Sequence, residues 1–353
     1  MWLTITYYWV NCMLMEYVVL LWNGLNHIWL ADCNMSVITT LTLVGYLLSV
    51  PQGSVLGPLL FIVFINDIVN CSSLLNFILF ADDTNTVMSH HNPTILNDLL
   101  NAELNKLFNW LTANKLSINY TKCNYMIFTN RNKNDIRTKL ALNINNYSLL
   151  NVEFTKFLGI WVDKELSWKL HINSIATKIS SYIGVFARIC QFLPSFILKL
   201  LYQSLIYPHL IYGITIWGNS SIANLNKIFI LQKKVIRIIM KANYNAHTTG
   251  LFKALNLLKL HDLYAYHVNL STFTIKNNLM PNNFQLILFN CNEDHNLRNQ
   301  GNVLQKYCRT MTRKKFITFA AVHIWNDLPT AIKQASTLSL FKRNILNHFI
   351  NNY

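Results

Sequence analysis

The apolar run Leu74-Leu75-Asn76-Phe77-Ile78-Leu79-Phe80 stops at Ala81-Asp82-Asp83 and gives way to a polar stretch, Thr84-Asn85-Thr86-Val87-Met88. A short apolar run closed by turn residues predicts a β-hairpin over 74–88 with two carboxylates at its tip. From His91 the pattern reads as loop. Leu99, Leu100, Leu104, Leu107, Phe108 and Leu111 then recur at helical spacing and predict an amphipathic helix over 97–114. Tyr125-Met126-Ile127-Phe128 predicts a strand, and 130–146 a polar hairpin or loop. Strands alternating with helices define an α/β class for this part.

From Leu166 the strand signals fade. Ile172, Ile175, Ile179, Ile183 and Phe186 form one helical stripe, and 198–217 predicts a second helix that Pro208 kinks or breaks. A third helix, over 225–241, has an apolar side of Ile228, Leu231, Val235, Ile238 and Ile239. Its basic side is Lys233, Lys234, Arg237 and Lys241, which suits a phosphate backbone and equally suits a solvated face. Residues 277–301 are polar and Asn-rich and read as a surface loop. The expected organisation is an α/β part over 1–165, a helical domain over 166–250 and a C-terminal helical segment over 251–353.

Adjacent aspartates repel each other and gain little from packing, so a divalent cation would explain the pair Asp82-Asp83. Magnesium is the natural ion, because it takes hard oxygen ligands and keeps water and phosphate in its shell, with manganese as the alternative. The same dipeptide is also a favoured turn sequence. Charge changes the picture further. The 353 residues carry 30 Lys+Arg against 15 Asp+Glu, a formal charge of +15, yet no Lys or Arg precedes Lys106. Seven acids, Glu16, Asp32, Asp67, Asp82, Asp83, Asp98 and Glu103, lie in that cation-free part. An acidic, metal-binding part followed by a basic part fits a polyanionic partner.

Two classes are set aside by pattern. Residues 33–66 hold no charged side chain, but Pro51-Gln52-Gly53-Ser54 divides them into pieces shorter than the about 20 residues that a bilayer requires. No basic residue flanks the run to orient it, so no membrane partner is expected. The seven cysteines are scattered, with no C-x-x-C pair, which argues for reduced intracellular thiols over a disulfide framework or zinc knuckle. Nuclear and cytoplasmic residence both remain compatible, and Arg313-Lys314-Lys315 is too short to be more than a candidate import signal.

Four blocks then occur in order: Pro51-Gln52-Gly53-Ser54-Val55-Leu56-Gly57-Pro58 with Ile65-Asn66-Asp67-Ile68; Phe80-Ala81-Asp82-Asp83; Asn114-Lys115-Leu116-Ser117-Ile118-Asn119 with Lys122; and Phe157-Leu158-Gly159-Ile160. Together they resemble the palm of the reverse transcriptases of non-LTR, LINE-type, jockey-like retrotransposons. Tyr202-Gln203-Ser204-Leu205-Ile206-Tyr207-Pro208, Trp217-Gly218, Leu231-Gln232-Lys233-Lys234 and Trp325-Asn326-Asp327-Leu328-Pro329 resemble that family's thumb and C-terminal segments.

The resemblance implies a right-hand polymerase with an α/β palm and a mainly helical thumb and C-terminal region. Its partners would be an RNA template, a DNA primer and deoxynucleoside triphosphates, together with the upstream part of the same polyprotein if the gene is longer. Asp82 would be a direct metal ligand, and Asp83 would support the second metal or the hairpin geometry. Pro51, Gln52, Gly53 and Ser54 would shape the nucleotide and template pocket, with 44–50 the strand entering it and 55–69 a buried helix behind the sheet. Phe157, Leu158 and Gly159 would grip the primer, although a plain strand end fits them too. Lys122 would face the pyrophosphate leaving group, as a general acid or merely as a charge. Asn23-Gly24-Leu25, Trp29-Leu30 and Val37 would belong to a helical segment upstream of the Pro-Gln-Gly block.

One departure matters for activity. The family carries a further catalytic aspartate on a strand N-terminal to the Pro-Gln-Gly block, in a context like Asp-x-x-x-Ala-Phe-Asp. Only Glu16 and Asp32 stand upstream here, and Ala31-Asp32-Cys33-Asn34 lacks the expected neighbours. The expectation is therefore a truncated polymerase fragment, with the fingers largely missing and no activity alone. The alternative is a non-catalytic, RNA-binding remnant of a mobile element.

Overall fold

The computed structural model describes residues 35–45, 56–129, 140–279, 302–303 and 316–353. The chain divides into two compact units, Met1–Leu166 and Ser167–Tyr353.

The first unit is built on strand β1, Met35–Gly45. Six of its eleven residues are β-branched (Val37, Ile38, Thr39, Thr40, Thr42 and Val44), side chains that fit a pleated surface. It is the central strand of the sheet. On one side it pairs antiparallel with β3, Asp83–His90, which in turn pairs with β2, Asn76–Phe80. On the other side it pairs antiparallel with β4, Leu116–Ile118, and β5, Asn124–Thr129, and β8, Leu150–Asn151, adds to β5 in parallel. Two small hairpins complete the unit: β6, Asn143–Ile144, with β7, Tyr147–Ser148, and β9, Phe154–Phe157, with β10, Ile160–Asp163. The segment containing Val37 was expected to be helical and is instead this strand. The strand expected at 44–50 begins earlier, and 46–50 lie outside the described residues.

One face of the sheet is dry. Met35, Val37, Leu41, Met88 and Tyr125 pack in a cluster with Leu96, Leu100, Leu104, Leu107 and Leu111 of helix α2, Pro93–Ala113. α1 is Leu56–Ile65. The loop expected from His91 is shorter than its composition suggested, because Asn92 caps α2. Its Oδ1 accepts from the Thr94 amide at 2.9 Å, and Pro93 fills the first turn, where no amide is needed.

The expectation of a buried helix over 55–69 is corrected. In α1 only Ile65 is buried, while Leu56 is 61% and Val63 68% exposed, and Leu59, Leu60 and Ile62 are exposed as well. A short 3₁₀ turn, Asn66–Cys71, follows it and buries Ile68. An apolar helix needs burial but does not supply the neighbour, and among the described residues no second layer covers its outer faces.

The second unit is helical. α3, Lys169–Ile189, buries Ile172, Ile175, Ile179 and Phe186 and packs along α7, Ile222–Ile239. Between them α4, Ser195–Leu201, widens into a π turn at Tyr202–Ile206 before α5, Tyr207–Ile211. Pro208, which cannot donate an amide hydrogen bond, sits in the first turn of α5 just past that wide turn, so the expected break is present. α6, Ile214–Trp217, carries the fully buried Trp217. α8, Thr249–Leu255, contains residue 250, and α9 is Leu260–Lys276. α10, Ile317–Asn326, α11, Thr330–Lys333, and α12, Leu338–Asn351, follow. Phe341 of α12 stacks on Phe273 at 4.3 Å and lies 5.9 Å from Trp325. Asn326 clasps Val303 through both its amide and its carbonyl at 3.0 Å. Most of the loop expected over 277–301 lies outside the described residues. Among the described residues no helix is long and apolar enough to cross a membrane.

Candidate active-site hairpin

β2 and β3 are joined by a two-residue turn, Ala81-Asp82, with Phe80 paired to Asp83. Ala81 has φ 50°. A positive φ at the first central position is where two-residue hairpins favour glycine, and for alanine it costs about 1–2 kcal/mol. Asp82 is exposed at the tip and Asp83 is half-buried where the strand begins.

The two carboxylates have different surroundings. Burial pushes the Asp83 carboxyl above its usual range, Asp82 pushes it further, and Lys122 opposes them. Lys122 ends a short 3₁₀ turn, Tyr120–Lys122, between β4 and β5. The fold thus brings Asp82, Asp83 and Lys122 into one electrostatic neighbourhood from separate blocks of sequence.

Asp83 and Asn85 share a face of β3, the one opposite α2. Asn85 is buried, its Oδ1 accepting from Thr40 Oγ1 at 2.8 Å, while its Nδ2 has no partner among the described residues. Phe157 lies over this face, lining a crevice with Thr40, Asn85, Asn124 and Met126. Leu158 and Gly159, with φ 44° and 84°, turn the chain from β9 to β10. Neither Thr40 nor Asn85 was singled out from sequence. The β-branched density of 35–45 was the signal that could have found the strand presenting Thr40.

Pro51, Gln52, Gly53 and Ser54 lie outside the described residues. Lys233, Lys234, Arg237 and Lys241 belong to the second unit and do not form one uncommitted row. Arg237 Nε donates to the Ala246 carbonyl at 3.0 Å, Lys233 lies 4.8 Å over the Phe229 ring, and Lys241 follows the helix in a left-handed conformation at φ 51°.

Among the described residues, the donors fit a two-metal centre poorly. No group of three or more His, Cys, Asp or Glu side chains that could hold an ion occurs among the described residues. β1 lies beside the hairpin, with Thr42 opposite Asp83 in register, and carries no acid anywhere along its length.

An uncompensated pair has a measurable consequence. The raised carboxyl of Asp83 disfavours the folded state once it ionises, so this penalty is present at neutral pH and is relieved as the pH falls through the folded-state value. Without divalent ions, Asp83→Asn is expected to raise neutral-pH stability by under about 1 kcal/mol, since solvent screens a half-exposed pair. The gain should shrink on acidification. Urea denaturation at two pH values checks this, and a loss of stability at neutral pH would contradict it.

Residues 31–162, which span the hairpin, Lys122 and the Phe157 turn, match the family described as reverse transcriptase (RNA-dependent DNA polymerase). This segment belongs to that family, whose fold is palm-like and whose chemistry uses divalent metal ions. The relatives narrow the class. The chain is 29% identical over 224 residues to the RNA-directed DNA polymerase from mobile element jockey of Drosophila funebris, covering 60% of this chain and 24% of that protein. It is likewise 29% identical over 225 residues to the jockey polymerase of Drosophila melanogaster, covering 60% and 24%. To the probable RNA-directed DNA polymerase from transposon X-element of Drosophila melanogaster it is 25% identical over 220 residues, again covering 60% and 24%. The chain spans about a quarter of the length of these curated relatives. It carries a reverse transcriptase domain of the non-LTR retrotransposon kind.

Proposed function

We propose that the first unit is the palm of an RNA-directed DNA polymerase and the second its thumb and C-terminal region, working on an RNA template, a DNA primer and deoxynucleoside triphosphates. The observation that carries this reading is the Asp82-Asp83 hairpin, beside Lys122, inside a segment of the reverse transcriptase family. Asp82 would be the exposed ligand of a magnesium ion and Asp83 would support it. Divalent ions supply stabilisation of the attacking and leaving oxygens in phosphoryl transfer. Lys122 contributes positive charge where the leaving group departs, and Phe157, Leu158 and Gly159 hold the primer strand over the Asn85 face. Pro51, Gln52, Gly53 and Ser54 take the nucleotide and template role.

The neighbouring strand lacks an acid, and ion affinity rests on ligand number and charge, so the 353-residue chain alone is inactive as a polymerase. Primer extension on an RNA template is the test. The isolated chain is expected to show no extension above background. A fusion behind the upstream portion of a jockey polymerase is expected to extend the primer, and Asp82→Asn to lower that rate by about 10²–10³-fold, a loss typical of removing one electrostatic group from a catalytic centre. Extension by the isolated chain that depends on Asp82 would overturn the inactivity. A fusion indifferent to Asp82→Asn would overturn the site.

A second reading is favoured by the charge distribution: RNA binding without catalysis, through the cation-rich part after Lys106.

A further inference from the structure

Helix α1 uses one side and leaves the other open. Phe61 and Ile65, one turn apart, pack into the cluster that also holds Met35, Ile68 and Leu75. On the opposite side Leu56, Leu59, Leu60 and Val63 are each more than half exposed. Their i, i+3, i+4, i+7 spacing makes one continuous stripe, the pattern of a face that meets a neighbour. We infer that residues 1–34 of this same chain cover that stripe. The inference does not depend on polymerase activity, and residues 1–30 stand before the 31–162 match.

Composition is the first argument. Of residues 1–34, 24 are apolar or aromatic, and Glu16 and Asp32 are the only acids, with no Lys or Arg among them. A stretch so poor in charge lacks the composition of a solvated tail and gains by burial against apolar surface. α1 offers such surface, with no charged side chain from Leu56 to Ile65. Contiguous apolar exposure of this kind marks an interaction site.

Connectivity is the second argument. The segment joins the described structure at Met35, which is buried in the same cluster as Ile65. A helix of 10 residues is about 15 Å long, a distance that about five extended residues span, so the chain before Met35 is long enough to reach the whole stripe. A tethered segment also acts at an effective concentration near millimolar, well above that of a second copy in dilute solution. A bilayer surface is the poorer occupant. A helix lying in that interface carries Lys or Arg on a polar face, whereas α1 has no cation and the first in the chain is Lys106.

The test is photo-crosslinking in the full chain, with p-benzoylphenylalanine in place of Leu59 or Val63 and the adducts mapped by mass spectrometry. Mixing isotopically light and heavy chains separates attachment within a chain from attachment between chains. Leu150, exposed on β8 at the opposite edge of the sheet from β2, is the control position. The probes at 59 and 63 are expected to attach chiefly within residues 1–34 of their own chain, with a yield unchanged by about tenfold dilution. Leu59→Ala is expected to lower the urea midpoint by about 1 M, as for a buried leucine, where an open face would give less than about 0.3 M. Attachment between light and heavy chains would assign the stripe to a second copy and overturn the inference. Attachment chiefly elsewhere in the chain, capture of 1–34 no greater than from position 150, or a midpoint shift of the smaller size would each overturn it as well.

Discussion

Gln232→Leu is expected to destabilise the second unit by about 3–5 kcal/mol, more than most single substitutions do. Gln232 is fully buried in α7, and its side-chain amide holds three elements together. Nε2 donates to the Tyr202 hydroxyl and to the Leu258 carbonyl, both at 3.0 Å, while Oε1 accepts from the Leu260 amide at 3.0 Å. Leu260 opens α9, so its amide is one of the helix-start donors that no carbonyl of its own helix can satisfy. Tyr202 belongs to the π turn and is itself fully buried.

Leucine fills much the same space and removes all three partners at once. A buried donor or acceptor left without a partner costs about 1–3 kcal/mol, and the three here share one environment, so the sum is less than additive. Tyr202→Phe removes one partner and keeps the rest, and should cost about 1 kcal/mol. In a cycle with Gln232→Leu the two should be strongly coupled. Chemical denaturation of the full chain measures both. A Gln232→Leu loss below about 1 kcal/mol would mean that the amide is not holding the elements.

The same residue marks a limit of reading helices by residue type. The expected apolar side of this helix was Ile228, Leu231, Val235, Ile238 and Ile239. The buried stripe is Leu225, Ile228, Gln232, Val235, Ile236 and Ile239. Period alone would have selected position 232, but a polar side chain is passed over when only apolar residues are counted. The hairpin was legible for the opposite reason. Two acids at the end of an apolar run contradict burial so plainly that a turn had to lie there, and the turn falls at Ala81-Asp82.

β1 was hidden within an uncharged stretch whose length suggested a helix or a membrane piece. Its β-branched composition favours a strand, but its place between β3 and β5 comes from long-range pairing, which local pattern does not encode. α1 shows the complementary failure, since apolar content sets a need for burial without naming what meets it. For the candidate site, the carboxylates could be located from sequence and the grouping with Lys122 was implied only by family resemblance. Asn85 and its Thr40 partner emerged only with the register. The absence of an acid on β1 is legible in the residues, but its bearing on metal binding depends on that strand lying beside the hairpin.

Gly218→Ala is expected to cost the second unit about 3 kcal/mol, at the upper end for overpacking. Gly218 follows α6 with φ −68°, a conformation open to any residue, so glycine is needed there for space and not for backbone freedom. A Cβ at this position would stand 2.4 Å from the Ile214 carbonyl oxygen and 2.5 Å from Cδ2 of Tyr264. The carbonyl cannot retreat without disturbing its own 2.7 Å bond from the Gly218 amide. Nor is the ring the mobile end of a flexible chain, because Tyr264 is buried in α9. Gly184, within α3, has nothing within 4 Å of an added Cβ. Gly184→Ala should therefore stabilise the chain by about 0.5–1 kcal/mol through helix propensity. Opposite signs for two Gly→Ala changes in one unit, read from the same denaturation experiment, would establish that close packing of α6 against α9 selects glycine at 218. A Gly218→Ala chain as stable as the wild type would show that the contact can relax.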